Sequence, residues 1–124
     1  MSRYFSPSEL ECNCHCGFYA MAPATLEAAD AIRELLAKPV IVTSAARCVD
    51  HNKRVGGVGA SWHLPRNVNG IWQSHAMDLG ICGKHQDLAV KMLDDDFPEI
   101  SYIRYSTFTH IDSRPKLYRG DFRR

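Results

Sequence analysis

Histidine and carboxylate side chains recur in two separated segments of the sequence, and they are the groups best suited to chemistry. The segment SWHLPRNVNGIWQSHAMDLG contains His63, His75 and Asp78, and the later segment THIDSR contains His110 and Asp112. Imidazole and carboxylate groups brought together from distant segments form either a metal site or an acid–base site. Which of these side chains share a site depends on the elements that carry them.

Strand geometry places Asp78 and His75 on different faces. If HAMDLGI is a strand, Asp78 shares a face with Ala76 and Gly80, and His75 faces the other way. Alanine and glycine are small, so they leave room beside the carboxylate for an ion or a substrate.

The second group extends the same reasoning. On FTHID, His110 and Asp112 share a strand face, and His63 comes from the loop before HAMDLGI. His63, Asp78 and His110 match the set of two imidazoles and one carboxylate that holds a catalytic zinc with an open fourth position. Their separation in sequence is too long for a helical H-E-x-x-H site.

Two amphipathic segments predict helices. PATLEAADAIRELLAKP predicts the clearer one, because Pro23 suits a first turn and Pro39 ends the helix. KHQDLAVKMLDDD predicts the second. The apolar face of this second helix is predicted to consist of Leu88, Ala89, Met92 and Leu93.

Four segments predict strands: VIVTS, HAMDLGI, ISYIRY and FTHID, the last two joined as a hairpin at Ser106-Thr107. ARCVDHNKRVGGVGAS, between the first two strands, is turn-rich, with one helical turn near DHNKRV. This order predicts an α+β fold, a small mostly antiparallel sheet with helices on one face. One domain is expected over residues 1–124, with 1–22 as an irregular N-terminal arm.

Composition excludes several classes of protein. The 124 residues are 45% hydrophobic and 23% charged, with a net charge of +1, so nucleic acid is not an expected partner. The basic end YRGDFRR is expected to be a solvated tail. We find no signal peptide and no apolar run long enough to insert into a membrane. We therefore expect a protein made in the cytoplasm, and we also expect a monomer.

The five cysteines are a separate feature. Their odd number and the missing signal peptide argue against a disulfide framework. CNCHC places Cys12, Cys14 and Cys16 beside a histidine, which could indicate structural zinc. Such sites usually have C-x-x-C spacing, so free thiols in a tight loop are the favoured interpretation.

A family resemblance rests on these residues and their neighbours. VTSAARCVDHNKRVGGVGASWHL resembles the zinc D-alanyl-D-alanine carboxypeptidases and the related phage L-alanyl-D-glutamate endolysins, a superfamily that includes the hedgehog signalling domain. Similar stretches run from FSPSELEC through KPVIVTS to FTHIDSRP, almost end to end. The resemblance implies the hedgehog/DD-peptidase-like fold, with His63, Asp78 and His110 as ligands of Zn²⁺. It also implies that Arg47 clamps a substrate carboxylate or carbonyl oxygen.

The ligand spacing departs from the family motif S-x-H-x-x-G-x-A-x-D. Here the histidine and aspartate are 78 − 63 = 15 positions apart, farther than in that motif. The additional residues around LPRNVNGI predict a hairpin with its turn at Asn69-Gly70. Such a loop can absorb the extra length while His63 and Asp78 remain at the metal. Ser74 stands where the motif has glycine.

The catalytic base is the second departure. Many relatives carry an acidic residue at the position that Thr107 occupies here. Asp112 is the predicted replacement, and His75 is the competing candidate. The alternative role for Asp112 is to orient the ligand His110.

The resemblance implies zinc-dependent hydrolysis of a peptide bond in a peptidoglycan stem peptide, by a carboxypeptidase or an endopeptidase. Arg47 would stabilise the oxyanion or hold a carboxylate. We expect a phage-type lysis protein that reaches the cell wall after membrane permeabilisation. The first alternative is a non-catalytic zinc module of the same fold, which Thr107 favours. The second is a thiol or metal-storage protein built on CNCHC.

Overall fold

The described part of the chain contains seven short strands, and five of them form its central sheet. The computed structural model describes residues 2–57, 59 and 61–123. Its strands are β1 (Val42–Ser44), β2 (Arg66–Val68), β3 (Ile71–Gln73), β4 (Ala76–Leu79), β5 (Ser101–Arg104), β6 (Thr109–Asp112) and β7 (Arg119–Asp121). The sheet order is β1-β4-β6-β5-β7, and β2 pairs with β3 as a separate hairpin. All neighbours are antiparallel except β5 and β7.

Two long helices pack beside this sheet. The helices are α1 (Pro7–Leu10), α2 (Pro23–Leu36), α3 (Val49–Arg54) and α4 (Gly83–Asp96). Helix α2 contacts α4 and also β4 and β6. It begins with the predicted proline but ends before Pro39, because Ala37 adopts the left-handed conformation with φ 52°. The predicted α+β class with a mostly antiparallel sheet is confirmed.

Alternation along β4 and β6 gives the sheet two different faces. Met77, Leu79 and Ile111 are fully buried in the hydrophobic cluster that also contains Ile32 and Leu93 of the long helices. Because successive side chains point to opposite faces, the residues between them point away from the helices. That second face is where the polar side chains of β4 and β6 lie.

The predicted hairpin is present. Strands β2 and β3 pair from Arg66 opposite Gln73 to Val68 opposite Ile71. Asn69 and Gly70 have φ 54° and 83°, as a two-residue type I′ turn requires. The hairpin lies between His63 and Asp78 in the sequence, so it accommodates the additional residues that separate them.

Three expectations are corrected by the structure. The arm contains α1, where Ser6 and Glu9 form a reciprocal capping box, a signal present in SPSE. The basic tail contains β7, and Arg119 forms an ion pair with Asp94 at 2.6 Å. Leu88 is 52% exposed, because the buried face of α4 is rotated toward Gln86, Ala89, Val90 and Leu93.

Positions 58 and 60 of the turn-rich segment lie outside the described residues, as do positions 1 and 124. Among the described residues, no helix is both long enough and apolar enough to cross a lipid bilayer.

Two leucines of α4 provide a matched test of this packing. Leu93→Ala should lower the free energy of unfolding by about 2–5 kcal/mol, because it removes a fully buried side chain from the core. Leu88→Ala should change it by less than about 0.5 kcal/mol, since this side chain is half exposed. Urea denaturation of both variants measures the difference. Equal losses would contradict the assigned helix rotation.

Candidate metal centre

The register between β4 and β6 creates the site. Asp78 lies directly opposite His110 on the face of the sheet away from the helices, and directly opposed residues bring their side chains into contact. Their side chains meet, with Asp78 Oδ1 2.9 Å from His110 Nδ1. Ile103 of β5 pairs with His110 from the other side, so the site is centred on the middle strands.

His63 enters from the loop before β2 and is held at both its backbone and its ring. Its carbonyl oxygen accepts from Arg47 N at 2.9 Å and from Ser74 Oγ at 2.5 Å. Its ring Nδ1 lies 2.7 Å from the carbonyl oxygen of Ala45, and a carbonyl oxygen can only accept, so Nδ1 carries the hydrogen. Nε2 then faces Asp78 Oδ2 at 3.2 Å.

The three side chains fit a zinc ion. One ligand atom from each of His63, Asp78 and His110 lies within 4.8 Å of the others. With zinc bonds near 2.1 Å, a tetrahedral pair of nitrogen and oxygen ligands would be about 3.4 Å apart. The observed separations of 3.2 and 2.9 Å require only small movements. The predicted ligands are therefore brought together, and their assignment as zinc ligands stays a prediction.

The charges of the centre suit a cation. Burial would raise the pKa of Asp78, but hydrogen bonds from His110 and His63 outweigh it and hold the pKa well below its usual range. Burial also opposes protonation of His110, yet its bonds to Asp112 and Asp78 raise its pKa to about 9. The carboxylate of Asp78 therefore stays charged at neutral pH and can bind a cation.

Asp112 lies behind the centre. Its side chain is fully buried. Its Oδ2 lies 2.8 Å from His110 Nε2, and it accepts from Arg114 at Nη2 (2.6 Å), Nε and the backbone N–H. Burial disfavours the charged form, but His110 and Arg114 lower the pKa of Asp112 to about 2. Since Asp112 occupies Nε2, Nδ1 is the nitrogen left for a metal.

A cleft of about 450 Å³ opens over the three ligands. Among the described residues, its walls carry the arginines Arg47 and Arg114 and three large aromatic side chains. The aromatic residues are Trp62, Tyr105 and Phe108, of which Tyr105 and Phe108 stack at 4.5 Å. Burial raises the pKa of Tyr105, so its phenol keeps its hydrogen at neutral pH. The cleft can therefore bind a carboxylated ligand beside a metal.

Arg47 is fixed at the wall of this cleft. Its Nη1 donates to Asn52 Oδ1 at 3.0 Å and its Nη2 to Ser44 Oγ at 3.1 Å. Gly57 closes over this pair, because a Cβ there would overlap Asn52 Oδ1 and come within 3.0 Å of Arg47 Nη1. The guanidinium is thus held in place, as a substrate clamp requires.

His75 is buried away from the cleft. Its Nδ1 lies 3.0 Å from Ser113 Oγ, and its ring stands edge-on to Trp62. Burial lowers its pKa, and its Nε2 has no hydrogen-bond partner among the described residues. His75 is not among the residues that line the cleft, which fits the expectation that it faces away from Asp78.

Sequence reasoning missed Arg114 and the aromatic walls. Arg114 follows Asp112 by two residues in HIDSR, and that proximity was the available signal. Trp62 and Tyr105 gave none, since an aromatic residue next to a ligand or at a strand end is equally suited to the core.

Of three comparisons with known proteins, one identifies a family. A family model described as peptidase M15 matches residues 3–112, a span that contains all three proposed ligands. Neither the curated proteins nor the solved structures gave a significant match.

Removal of one ligand tests the centre. His63→Ala should lower bound zinc by about one ion per chain, since two remaining ligands hold zinc poorly. Elemental analysis of the purified variant measures this. His85→Ala is the control, because His85 is exposed on α4. Full zinc in His63→Ala, with loss in His75→Ala, would mean that the long loop has changed the ligand set.

Proposed function

The chain belongs to the peptidase M15 family, and from this membership we propose that it hydrolyses a peptide bond in the stem peptides of peptidoglycan. The family makes the protein a metallopeptidase. The observation that carries the finer proposal is the cleft, where three candidate zinc ligands lie beneath two arginines.

The cleft chemistry supports a short acidic peptide as substrate. Stem peptides end in a carboxylate and contain a further free carboxylate, and guanidinium groups bind such groups with paired hydrogen bonds. Arg47 and Arg114 stand on the walls, and the aromatic rings of Trp62 and Tyr105 offer apolar contact to small side chains. A large hydrophobic peptide would not use these cations.

The residues of the chain have distinct tasks in this reaction. A bound zinc ion would lower the pKa of a water molecule and polarise the scissile carbonyl group. His63, Asp78 and His110 would hold the ion. Arg47 would bind the substrate carboxylate or the carbonyl oxygen as it gains charge, and Tyr105 offers a further O–H donor in the same cleft.

The assignment of the proton acceptor stays a prediction. Asp112 was predicted as the base, with orientation of His110 as the alternative. A buried carboxylate with a pKa of about 2 that already binds His110 and Arg114 is poorly matched to proton transfer at neutral pH. These contacts support the orienting role, in which Asp112 fixes the ring of a metal ligand.

A second candidate function is a zinc module that binds without hydrolysis. Among the described residues that line the cleft, Asp78 is the one carboxylate, and it belongs to the ligand group. Thr107, at the position where many relatives are acidic, is exposed. If this candidate is right, the protein binds stem peptides and leaves them intact. The variant Thr107→Glu would introduce an acidic residue at the position where many relatives have one.

Digestion of purified peptidoglycan decides between the two functions. The zinc-loaded protein should release soluble products that mass spectrometry identifies, free alanine for a carboxypeptidase and larger fragments for an endopeptidase. Asp78→Asn is the inactive control, because it removes the charged ligand. Intact peptidoglycan after binding of the protein would support the non-catalytic module.

A role in phage lysis is the cellular form of this proposal. A protein that stays in the cytoplasm can reach the cell wall only after a partner has permeabilised the membrane. The same digestion, followed in whole cells, should therefore require a membrane permeabiliser. Lysis by expression alone would contradict this route.

Asp112→Asn tests the orienting role. Asparagine keeps the size of the side chain but binds the imidazole N–H and Arg114 more weakly. We expect zinc affinity to fall by about 10–100-fold and excess zinc to restore most of the turnover. Equilibrium zinc titration and single-turnover rates measure the two effects.

A different result would restore Asp112 as the base. In that case the variant would keep its zinc, and turnover would fall by about 10²–10⁴-fold even at saturating zinc. His75→Gln is the matched control, and it should be mild because His75 lies outside the cleft.

A further inference from the structure

A second cluster of metal-binding side chains lies outside the cleft. The sulfur atoms of Cys12, Cys14, Cys16 and Cys48 all lie within 4.8 Å of one another. Three of the cysteines come from the CNCHC loop, and Cys48 comes from the segment that follows β1. Sequence reasoning did not connect Cys48 with this loop, because 36 positions separate it from Cys12.

The sulfur separations fit a shared ion. Cys12 Sγ lies 3.4 Å from Cys14 Sγ and 3.8 Å from Cys48 Sγ, and Cys14 and Cys48 are 3.7 Å apart. A zinc ion with four sulfurs at about 2.3 Å places neighbouring sulfurs about 3.8 Å apart. All five cysteines are described, and all are free thiols. The group therefore has the size of a tetrahedral four-thiolate site.

The backbone supports sulfur atoms that carry negative charge. The N–H of Cys48 points to Cys12 Sγ at 3.4 Å, and the N–H of His51 points to Cys48 Sγ at 3.3 Å. Such N–H groups orient and stabilise thiolate ligands around a metal.

The CNCHC loop is folded back so that its three sulfurs converge. Cys12 N–H donates to the carbonyl oxygen of Phe18 at 2.7 Å, and His15 N–H donates to that of Cys12 at 2.9 Å. His15 and Gly17 have φ 63° and 91°, the left-handed conformation that lets a short loop reverse. In C-x-x-C sites, two intervening residues let the chain turn so that both sulfurs face one ion. Here the reversal of the loop brings the sulfurs together without that spacing.

We propose that Cys12, Cys14, Cys16 and Cys48 bind a structural zinc ion. The four ligands complete a closed tetrahedral sphere, so the ion has no open position for a substrate. This zinc is separate from the cleft, and its role is to hold the N-terminal arm onto the segment that carries Arg47.

The attachment would add to two hydrogen bonds that already join the same two segments. Asn13 Nδ2 donates to the carbonyl oxygen of Thr43 at 3.2 Å, and Ala46 N–H donates to that of Leu10 at 3.1 Å. Cys48 follows Arg47 directly in the chain. A metal bond to Cys48 would therefore fix the backbone next to the guanidinium that lines the cleft.

Metal counting on a cleft-deficient variant tests this proposal without any use of activity. His63→Ala/His110→Ala removes two of the three cleft ligands, and the purified protein should still contain about one zinc per chain. Adding Cys16→Ser to it should remove that zinc. Cys16 is exposed, so this substitution leaves the buried Cys12 in the core. Cys82→Ser is the matched control and should change nothing, since Cys82 is also exposed and lies outside the group.

Cobalt identifies the ligands directly. Co²⁺ added to the metal-free double variant should give the intense near-ultraviolet absorption of thiolate-to-cobalt charge transfer, and Cys16→Ser should reduce it. Three results would overturn the proposal: a double variant without zinc whose thiols all react freely in the presence of zinc, a disulfide among the four cysteines, or iron in place of zinc. Failure of peptidoglycan hydrolysis would leave all these readings unchanged, so the two proposals fail independently.

Discussion

The pairing of β4 with β6 is the constraint on which the rest of the structure depends. It places Asp78 opposite His110 on one face and Met77 opposite Ile111 on the other. A shift by one residue would exchange the two faces, exposing the apolar pair and burying the carboxylate against the helices. Core packing and site assembly are therefore enforced by one register, and burial of the apolar face secures the geometry of the polar one.

Around that register, ionisable side chains form a chain that ends at the wall of the cleft. Asp78, His110, Asp112 and Arg114 follow one another in space, and each contacts the next. A buried carboxylate without a partner costs several kcal/mol, so Arg114 and His110 together make the full burial of Asp112 tolerable. The result is a His110 ring fixed on both sides, with Asp78 on the side that faces the cleft.

The segment after β1 links the two candidate metal positions. The carbonyl oxygen of Ala45 accepts a hydrogen bond from the ring of His63, and Arg47 lines the cleft. The next residue, Cys48, belongs to the cysteine cluster. Ala45 and Ala46 of this segment are buried in the core, but residues 45–48 form neither a helix nor a strand. The contact of Ala45 with His63 and the proposed metal bond of Cys48 would together fix the backbone on both sides of Arg47.

The sequence by itself determined the elements whose signals are local, namely the two amphipathic helices and the Asn69-Gly70 turn, and it named His63, Asp78 and His110 as candidate metal ligands. Only the tertiary structure decided that Cys48 joins the CNCHC loop, that Arg114 neutralises Asp112, and that Leu88 faces solvent. Periodicity and turn chemistry are properties of neighbouring residues and can be read along the chain. Which distant side chains meet, and how far a helix is rotated, follows from how the whole core packs, because many faces must be buried at once.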